Sequence, residues 1–281
     1  MNIEIQSIST KRKGKDGGNG SDGQIIGAGI TLGNDIIATG TVAPLRNVAT
    51  CTKALERAMN RQRHLPGMIC FYGPSGFGKS YAAAYAANRH NAHYVECKST
   101  WTKKAILMAI AKEMGLSPFR TMYDLTEQIS ERLAITDRPL IVDEMDHIVK
   151  REAVEIIRDL YEGSGCAMLL IGEENLPNSL IKWERFHGRI LDFIPAQAAD
   201  VSDAKVLANF YCKKVKIADD LIQELARVAK GSIRRICVNL AKIEQETLDS
   251  GRIEMDLHTW TNVMHKSFWT GEATIRKEYV R

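Results

Sequence analysis

The sequence predicts an open parallel α/β sheet flanked by helices, followed by a small helical domain, and three observations carry that expectation. A glycine-rich stretch, "GPSGFGKS" at 73 to 80, sits between the apolar run Met68-Ile69-Cys70-Phe71-Tyr72 and the helix-patterned "SYAAAYAANRH". From about residue 45 to 200, short apolar runs alternate with segments of helical spacing, the pattern of parallel strands joined by crossover helices. Beyond about residue 200 the strand-like runs cease and helical spacing takes over, clearest in "ADDLIQELARVAK" and "IRRICVNLAKIEQETL".

Along the chain, residues 1–44 read as a flexible basic and glycine-rich arm ("TKRKGKDGGNGSDG") followed by a possible short ribbon of glycine and β-formers. That arm buries too little apolar surface to offset its ordering entropy. Its Lys11, Arg12, Lys13 and Lys15 either touch a phosphate backbone or form a solvated tail. Residues 45–200 form the α/β domain. A helix over "LRNVATCTKALERAMNRQRH" is broken by Leu65-Pro66-Gly67, and the strand ending at Tyr72 follows. A second strand, "AHYVEC" at 92 to 97, leads into a helix that Ser99 or Thr100 is expected to cap, with Ile106, Leu107, Ile110 and Met114 on its apolar face. "MYDLTEQISERLAI" and "EAVEIIRDLYEGSG" are helical; Leu140-Ile141-Val142 and "CAMLLIGEEN" read as strands buried on both faces. Residues 201–265 form the helical domain and 266–281 a C-terminal tail.

Composition bounds the function classes. A chain of 281 residues with 44% hydrophobic content supports a sizeable core. Its 38 Lys and Arg against 34 Asp and Glu give +4, which permits nucleic-acid binding without demanding it. Six scattered cysteines with no CxxC pair argue against a zinc site or redox motif and for reduced thiols. No run approaches the roughly 20 apolar residues that cross a bilayer, so a soluble cytoplasmic protein without membrane contact is expected.

The stretch at 73 to 80 matches the phosphate-loop pattern G-x-x-x-x-G-K-[ST] in the strand-loop-helix context that motif requires. Gly73, Gly76 and Gly78 let the backbone fold around phosphate, so successive N–H groups of the loop, Ser75 and Phe77 among them, and the following helix start face the anion, while Pro74, which has no N–H, belongs to the loop's frame. Lys79 is expected to reach the β and γ phosphates of ATP and Ser80 to ligate Mg²⁺. A second metal anchor falls to Asp143 at the end of "LIVDE", and the adjacent Glu144 is placed to polarise an attacking water. Asp146 and His147 continue the acidic string without a required catalytic part. No basic lid or acceptor pocket of a nucleotide kinase is evident, and the acid pair favours hydrolysis over phosphoryl transfer to a metabolite.

Taken in order, the phosphate loop, "LIVDEMDH", "LLIGEEN", "ERFHGRI" and "GSIRRI" resemble the AAA+ superfamily, and within it the transposition accessory ATPases of the Mu phage B-protein type and the target-selecting ATPases of Tn7-like transposons. The resemblance covers about residues 45 to 250. It implies a polar sensor at the end of "LLIGEEN", where this chain places Glu173 or Glu174, with Asn175 just beyond. It implies that Arg185 or Arg189 reaches a neighbouring subunit's ATP as an arginine finger, and that Arg234 contacts phosphate from the lid side. It also implies that "KSTWTKKAIL" lines a DNA-binding face: Lys98, Thr100, Thr102, Lys103 and Lys104 are of the right chemistry for phosphate contact, with Trp101 a packing residue. No zinc-finger spacing or helix-turn-helix pair offers base readout. The implied function is an ATPase that assembles as a helical filament or ring on double-stranded DNA with little sequence preference and directs a transposase. The alternative is an AAA+ regulator or loader acting mainly on a protein partner.

Overall fold

The computed structural model describes residues 42–272 and the backbone of three short strands nearer the N-terminus. These are β1 (Ile3–Glu4), β2 (Ile30–Leu32) and β3 (Asp35–Ile37), an antiparallel set in the order β1-β2-β3. The basic arm residues Lys11 to Lys15, most of the expected ribbon and residues 273–281 lie outside the described residues.

The chain then runs through α1 (Arg46–Met59), β4 (Met68–Tyr72), α2 (Lys79–His90), β5 (His93–Glu96), α3 (Lys103–Glu113), α4 (Met122–Thr136) and β6 (Leu140–Asp143). It continues with α5 (Met145–Lys150), α6 (Val154–Ser164), β7 (Met168–Gly172), α7 (Leu176–Ile181), α8 (Glu184–His187) and β8 (Ile190–Pro195). Last come α9 (Val201–Tyr211), β9 (Lys216–Ile217), α10 (Asp219–Ala229), α11 (Ile233–Asp249), β10 (Glu254–Met255) and a π-helical turn, Thr259–Val263.

These elements divide into two compact units. The first holds residues 1–42, 48–72 and 79–195; the second holds 43–47, 73–78 and 196–281. In the first, five parallel strands lie in the order β5-β6-β7-β4-β8. Every residue of β6 and β7 is buried, which is why those strands read as unbroken apolar runs. One core packs Met68, Val142, Met168 and Leu170 of the sheet against Ile106, Leu107 and Ile110 of α3, Leu125 and Ile129 of α4, and Ile157 and Leu160 of α6.

Local chemistry sets where the helices begin. Thr102, not Ser99 or Thr100, caps α3 by accepting from the Ala105 N–H. The Trp101 N–H donates to the Lys98 carbonyl at 3.0 Å, so the two earlier candidates are spent in a turn before the helix starts. Trp101 itself packs against the core. Parallel order in β6 and its neighbours puts all strand C-termini at one edge, where ligands of such sheets bind.

In the second unit, α9, α10 and α11 bury Leu207, Leu221, Leu225, Ile236, Leu240, Ile243 and Trp260. The strand character expected to stop near residue 200 does recur: β9 and β10 pair in parallel. At two residues each they are too short to leave a periodic signal. Asp200 and Asp203 form a reciprocal cap on α9, and the Arg46 guanidinium bonds to Asp203 and to the Ala198 carbonyl. Residues beyond α11 return along it: fully buried Asn239 accepts from the Trp269 N–H at 2.7 Å and donates to its carbonyl at 3.0 Å. The side chain thus acts as one rung of a sheet for a segment with no strand beside it. Replacing Asn239 with Ala strands both Trp269 groups, and the expected loss is about 2 kcal/mol, read as a lowered midpoint in chemical denaturation.

Candidate functional site

The glycine-rich loop leaves β4 and enters α2, and six of its residues, 73–78, belong to the second unit. Gly76 and Gly78 adopt φ of +85° and +78°, where a side chain is strained. Space is as restrictive as the backbone: a Cβ on Gly76 would stand 2.6 Å from Ser232 Oγ, and one on Gly78 would stand 2.9 Å from Ile233 Cδ1. The Arg234 N–H donates to the Gly76 carbonyl at 3.2 Å. Asn47, buried in the first turn of α1, donates to the carbonyls of Phe77 and Gln197 at 2.9 and 2.8 Å and accepts from the Gln197 N–H. Pro74 is half-buried and Ser75 is exposed. Sequence reading missed Asn47, which follows Arg46 between Leu45 and Val48 and so does not stand out as a lone polar residue.

Lys79 and Ser80 open α2 in the first unit, and α2 packs against β6. At the end of β6, Asp143 is only 2% exposed. Its Oδ1 accepts from the Glu144 N–H at 2.8 Å and its Oδ2 from the Tyr94 hydroxyl at 2.6 Å. Burial lowers the Lys79 pKa, opposed by the surrounding charges of Asp143, Glu144, Asp146 and Glu173. Burial, and then the charge of Asp143, raise the Glu144 pKa above the usual carboxylate value. Burial first, and Asp143 second, push the Tyr94 phenol well above its ordinary value, keeping the hydroxyl a neutral donor.

Glu144 carries φ +56° and ψ +41°, the left-handed conformation, which costs a non-glycine residue about 1 to 2 kcal/mol. Two residues on, Asp146 is 9% exposed and accepts from the Glu173 N–H at 2.7 Å, tying α5 to the end of β7. A side chain at Gly172 would collide with that carboxylate, 2.4 Å from the Cβ position. Asp146 is therefore a structural clamp at the end of β7, a part the sequence did not assign. Of the three sensor candidates, Glu173 is the one whose charge acts on Lys79, while Asn175 bonds to Asn178.

Mg²⁺ takes about six oxygen ligands at close to octahedral geometry. Asp143 and Ser80 are hard oxygen donors of the right type, and among the described residues no group of three His, Cys, Asp or Glu side chains forms a metal cluster. Such a donor set fits an ion that arrives with phosphates and water completing its shell. The six cysteines are all free, five of them buried.

The arginines separate. Helix α8 stops at His187, so the four-residue spacing does not place Arg185 and Arg189 on one helical face. Arg189 lies past the helix and pairs with Glu162. Arg185 is exposed, with no ion pair or side-chain hydrogen bond among the described residues. Arg234 is exposed in the first turn of α11.

Lys98, Thr100, Thr102, Lys103 and Lys104 are all exposed. Two are partly engaged: Thr102 caps α3, and the Lys104 ammonium donates to the Arg120 carbonyl at 2.8 Å. Arg151, which sequence reading passed over, joins them, donating to the Ser99 carbonyl at 3.1 and 2.7 Å. Among the described residues no helix is long and apolar enough to cross a membrane.

The family model for an AAA domain matches residues 61–180. The chain is similar to the Mu-like prophage FluMu DNA transposition protein B of Haemophilus influenzae, 35% identical over 108 residues, which are 37% of this chain and 37% of that protein. The chain thus matches little more than a third of that relative's length. Among solved structures it is similar to the Aeropyrum pernix ORC2 protein in ADPNP–ADP complexes, with TM-score 0.63 and 17% identity over 77% of this chain and 67% of that one. It is likewise similar to Cdc6p from Pyrobaculum aerophilum, with TM-score 0.56 and 16% identity over 76% and 64%. The fold is the AAA+ P-loop α/β fold with a helical lid unit.

Strain at residue 144 is separable from its side chain. Glu144→Gly is expected to be more stable than Glu144→Ala by about 1 kcal/mol, the reverse of their order in ordinary helix, in paired denaturation curves.

Proposed function

We propose that this chain is an ATP-hydrolysing AAA+ switch that assembles with copies of itself and works on DNA. The observation that carries the reading is the acid pair at the end of β6: a buried Asp143 held by two donors, followed by a half-buried Glu144 in a strained backbone conformation. Strain of this kind persists where the surroundings over-determine it, and it gathers at functional sites.

The chain's residues divide the work. Backbone N–H groups at the start of α2 hold phosphate, and Lys79 supplies a charge already crowded by acids. Mg²⁺ bound through Ser80 and Asp143 would offset charge on the phosphates and leaving group. Glu144, its carboxyl held above the usual range, accepts a proton from water. Arg185 is the better candidate for a finger reaching a neighbouring subunit, because it is exposed and unpaired whereas Arg189 is paired with Glu162.

DNA contact is supported by the exposed basic set Lys98, Lys103, Lys104 and Arg151 beside the N-terminus of α3, and by relatives' names. One similar structure is the Aeropyrum pernix ORC1 protein in complex with DNA, at TM-score 0.59. The regulator or loader reading draws support from the larger share of chain that the ORC and Cdc6 likenesses cover. The transposition reading, in which the assembly hands target DNA to a transposase, draws support from the 35% identity to a DNA transposition protein. Both share the ATP-dependent oligomer.

Two measurements test the proposal. Glu144→Gln is expected to lower ATP turnover by about a hundredfold or more while nucleotide binding persists; unchanged turnover removes Glu144 from the water-activating role. Binding to non-specific duplex is expected to require ATP, to weaken steeply with salt and to be lost in Lys98→Glu/Lys103→Glu, with rings or filaments visible by electron microscopy for the parent alone. DNA affinity indifferent to ATP and to those lysines overturns the DNA reading.

A further inference from the structure

The phenol of Tyr94 stands where the proposed chemistry gives it no direct part. Tyr94 is the second residue of β5, the edge strand of the sheet, and pairs in register with Ile141 of β6. Asp143 lies two residues further along β6, and the tyrosine ring is long enough to reach it diagonally across the strand pair. The residue is 4% exposed, yet its hydroxyl is not left in an apolar layer: it donates to Asp143 Oδ2 at 2.6 Å. A bond this short between a phenol and a carboxylate is of the charge-assisted kind. The other oxygen, Oδ1, accepts from the Glu144 N–H.

Each carboxylate oxygen therefore accepts from a donor, the phenol on Oδ2 and a backbone N–H on Oδ1, and the two bonds together orient the group. Without the phenol, Oδ2 would lose the donor that holds it in place, and the Lys79 ammonium, on which Asp143 acts more strongly than any other acid, would draw the carboxylate toward itself. Rotation toward that lysine would turn the carboxylate away from a metal.

We infer that Tyr94 is a positioning residue for the Mg²⁺ of the bound nucleotide, acting through Asp143 and making no contact with metal or phosphate itself. The inference rests on the nucleotide site proposed above and deepens it. The partner chemistry is a Mg²⁺–nucleoside triphosphate complex, and the tyrosine matters for its metal half alone. Partners of this outer type set metal affinity by orienting the ligand, and removing them costs about ten- to a hundredfold.

The test uses the full-length chain and a fluorescent ATP analogue, titrated with Mg²⁺ and, separately, in excess EDTA. For Tyr94→Phe the Mg²⁺ concentration at half-maximal binding is expected to rise about tenfold, while affinity in EDTA changes by less than about twofold. In an Asp143→Asn background, adding Tyr94→Phe is expected to leave the Mg²⁺ dependence where Asp143→Asn alone puts it, since the residue acts through the carboxylate. Should the phenylalanine variant fail to fold, Tyr94→His offers a polar but shorter ring whose N–H falls short of the place the phenol oxygen holds beside Asp143, and its Mg²⁺ midpoint is expected to shift upward with EDTA affinity retained. Equal loss in both arms means a packing role only and overturns the inference, as does an unmoved Mg²⁺ midpoint or a further shift in the Asp143→Asn background. A parent chain that binds no Mg²⁺–nucleotide overturns the site itself, an outcome distinct from a parent that binds and a Tyr94 variant that does not differ.

Discussion

A carboxylate kept out of water is the constraint around which the first unit is arranged. Asp143 ends a strand buried along its whole length, and a polar group left without donors at such a place is costly. Its neighbourhood answers that requirement: the Tyr94 phenol on one oxygen, a backbone N–H on the other, and a lysine charge nearby. The backbone N–H comes from Glu144, whose left-handed conformation orients it and turns the chain into α5. Strain at Glu144 and burial of Asp143 are thus one feature seen at consecutive residues. The same strand end brings the Asp146 carboxylate under the Glu173 N–H, so the loop after β7 is set by the turn after β6.

The other half of the phosphate loop answers to a different neighbour. Residues 73–78 share a unit with α11, and contact there is at backbone level: the Arg234 N–H on the Gly76 carbonyl, and Ser232 Oγ in the space that a Cβ on Gly76 would fill. Ser232 is also the N-cap of α11, accepting from the Arg235 N–H. A change in the loop's path at Gly76 would therefore disturb the cap that starts the helix carrying Arg234. If the loop holds phosphate as proposed, these contacts would link its occupancy to the start of α11. Asn47 adds a second tie, from the start of α1 to Phe77 and Gln197.

Much of this was legible beforehand because its signals are local. A loop of fixed spacing between an apolar run and a helix, and a strand ending in two acids, announce themselves in consecutive residues, and Lys79, Ser80, Asp143 and Glu144 sit on the elements assigned to them. What stayed hidden depends on partners distant in sequence. Tyr94 reads as an ordinary β-former, because only the register of β5 against β6 brings its hydroxyl to residue 143. Asp146 looked idle until β7 placed an N–H above it. The division of the two arginines turned on where α8 ends: four residues leave Arg189 outside the helix and beside Glu162.

Acidity around Lys79 carries the argument one step further. Asp143, Glu144, Asp146 and Glu173 all act on a single partly buried ammonium, and a triphosphate entering this field meets several negative groups around one cation. Glu173 sharpens the point: the resemblance implies a polar sensor at Glu173 or Glu174, and the first of these two acids adds its charge to this field. Under the proposed function, phosphate binding would lean on charge beyond Lys79: a metal on Asp143 and Ser80, and an arginine from a neighbouring subunit. A site short of cations within one chain couples occupancy to such outside contributions more tightly than a site with a cationic surplus would. If the output is the oligomeric state, as proposed, that shortage would make a neighbour's arginine part of what holds the nucleotide.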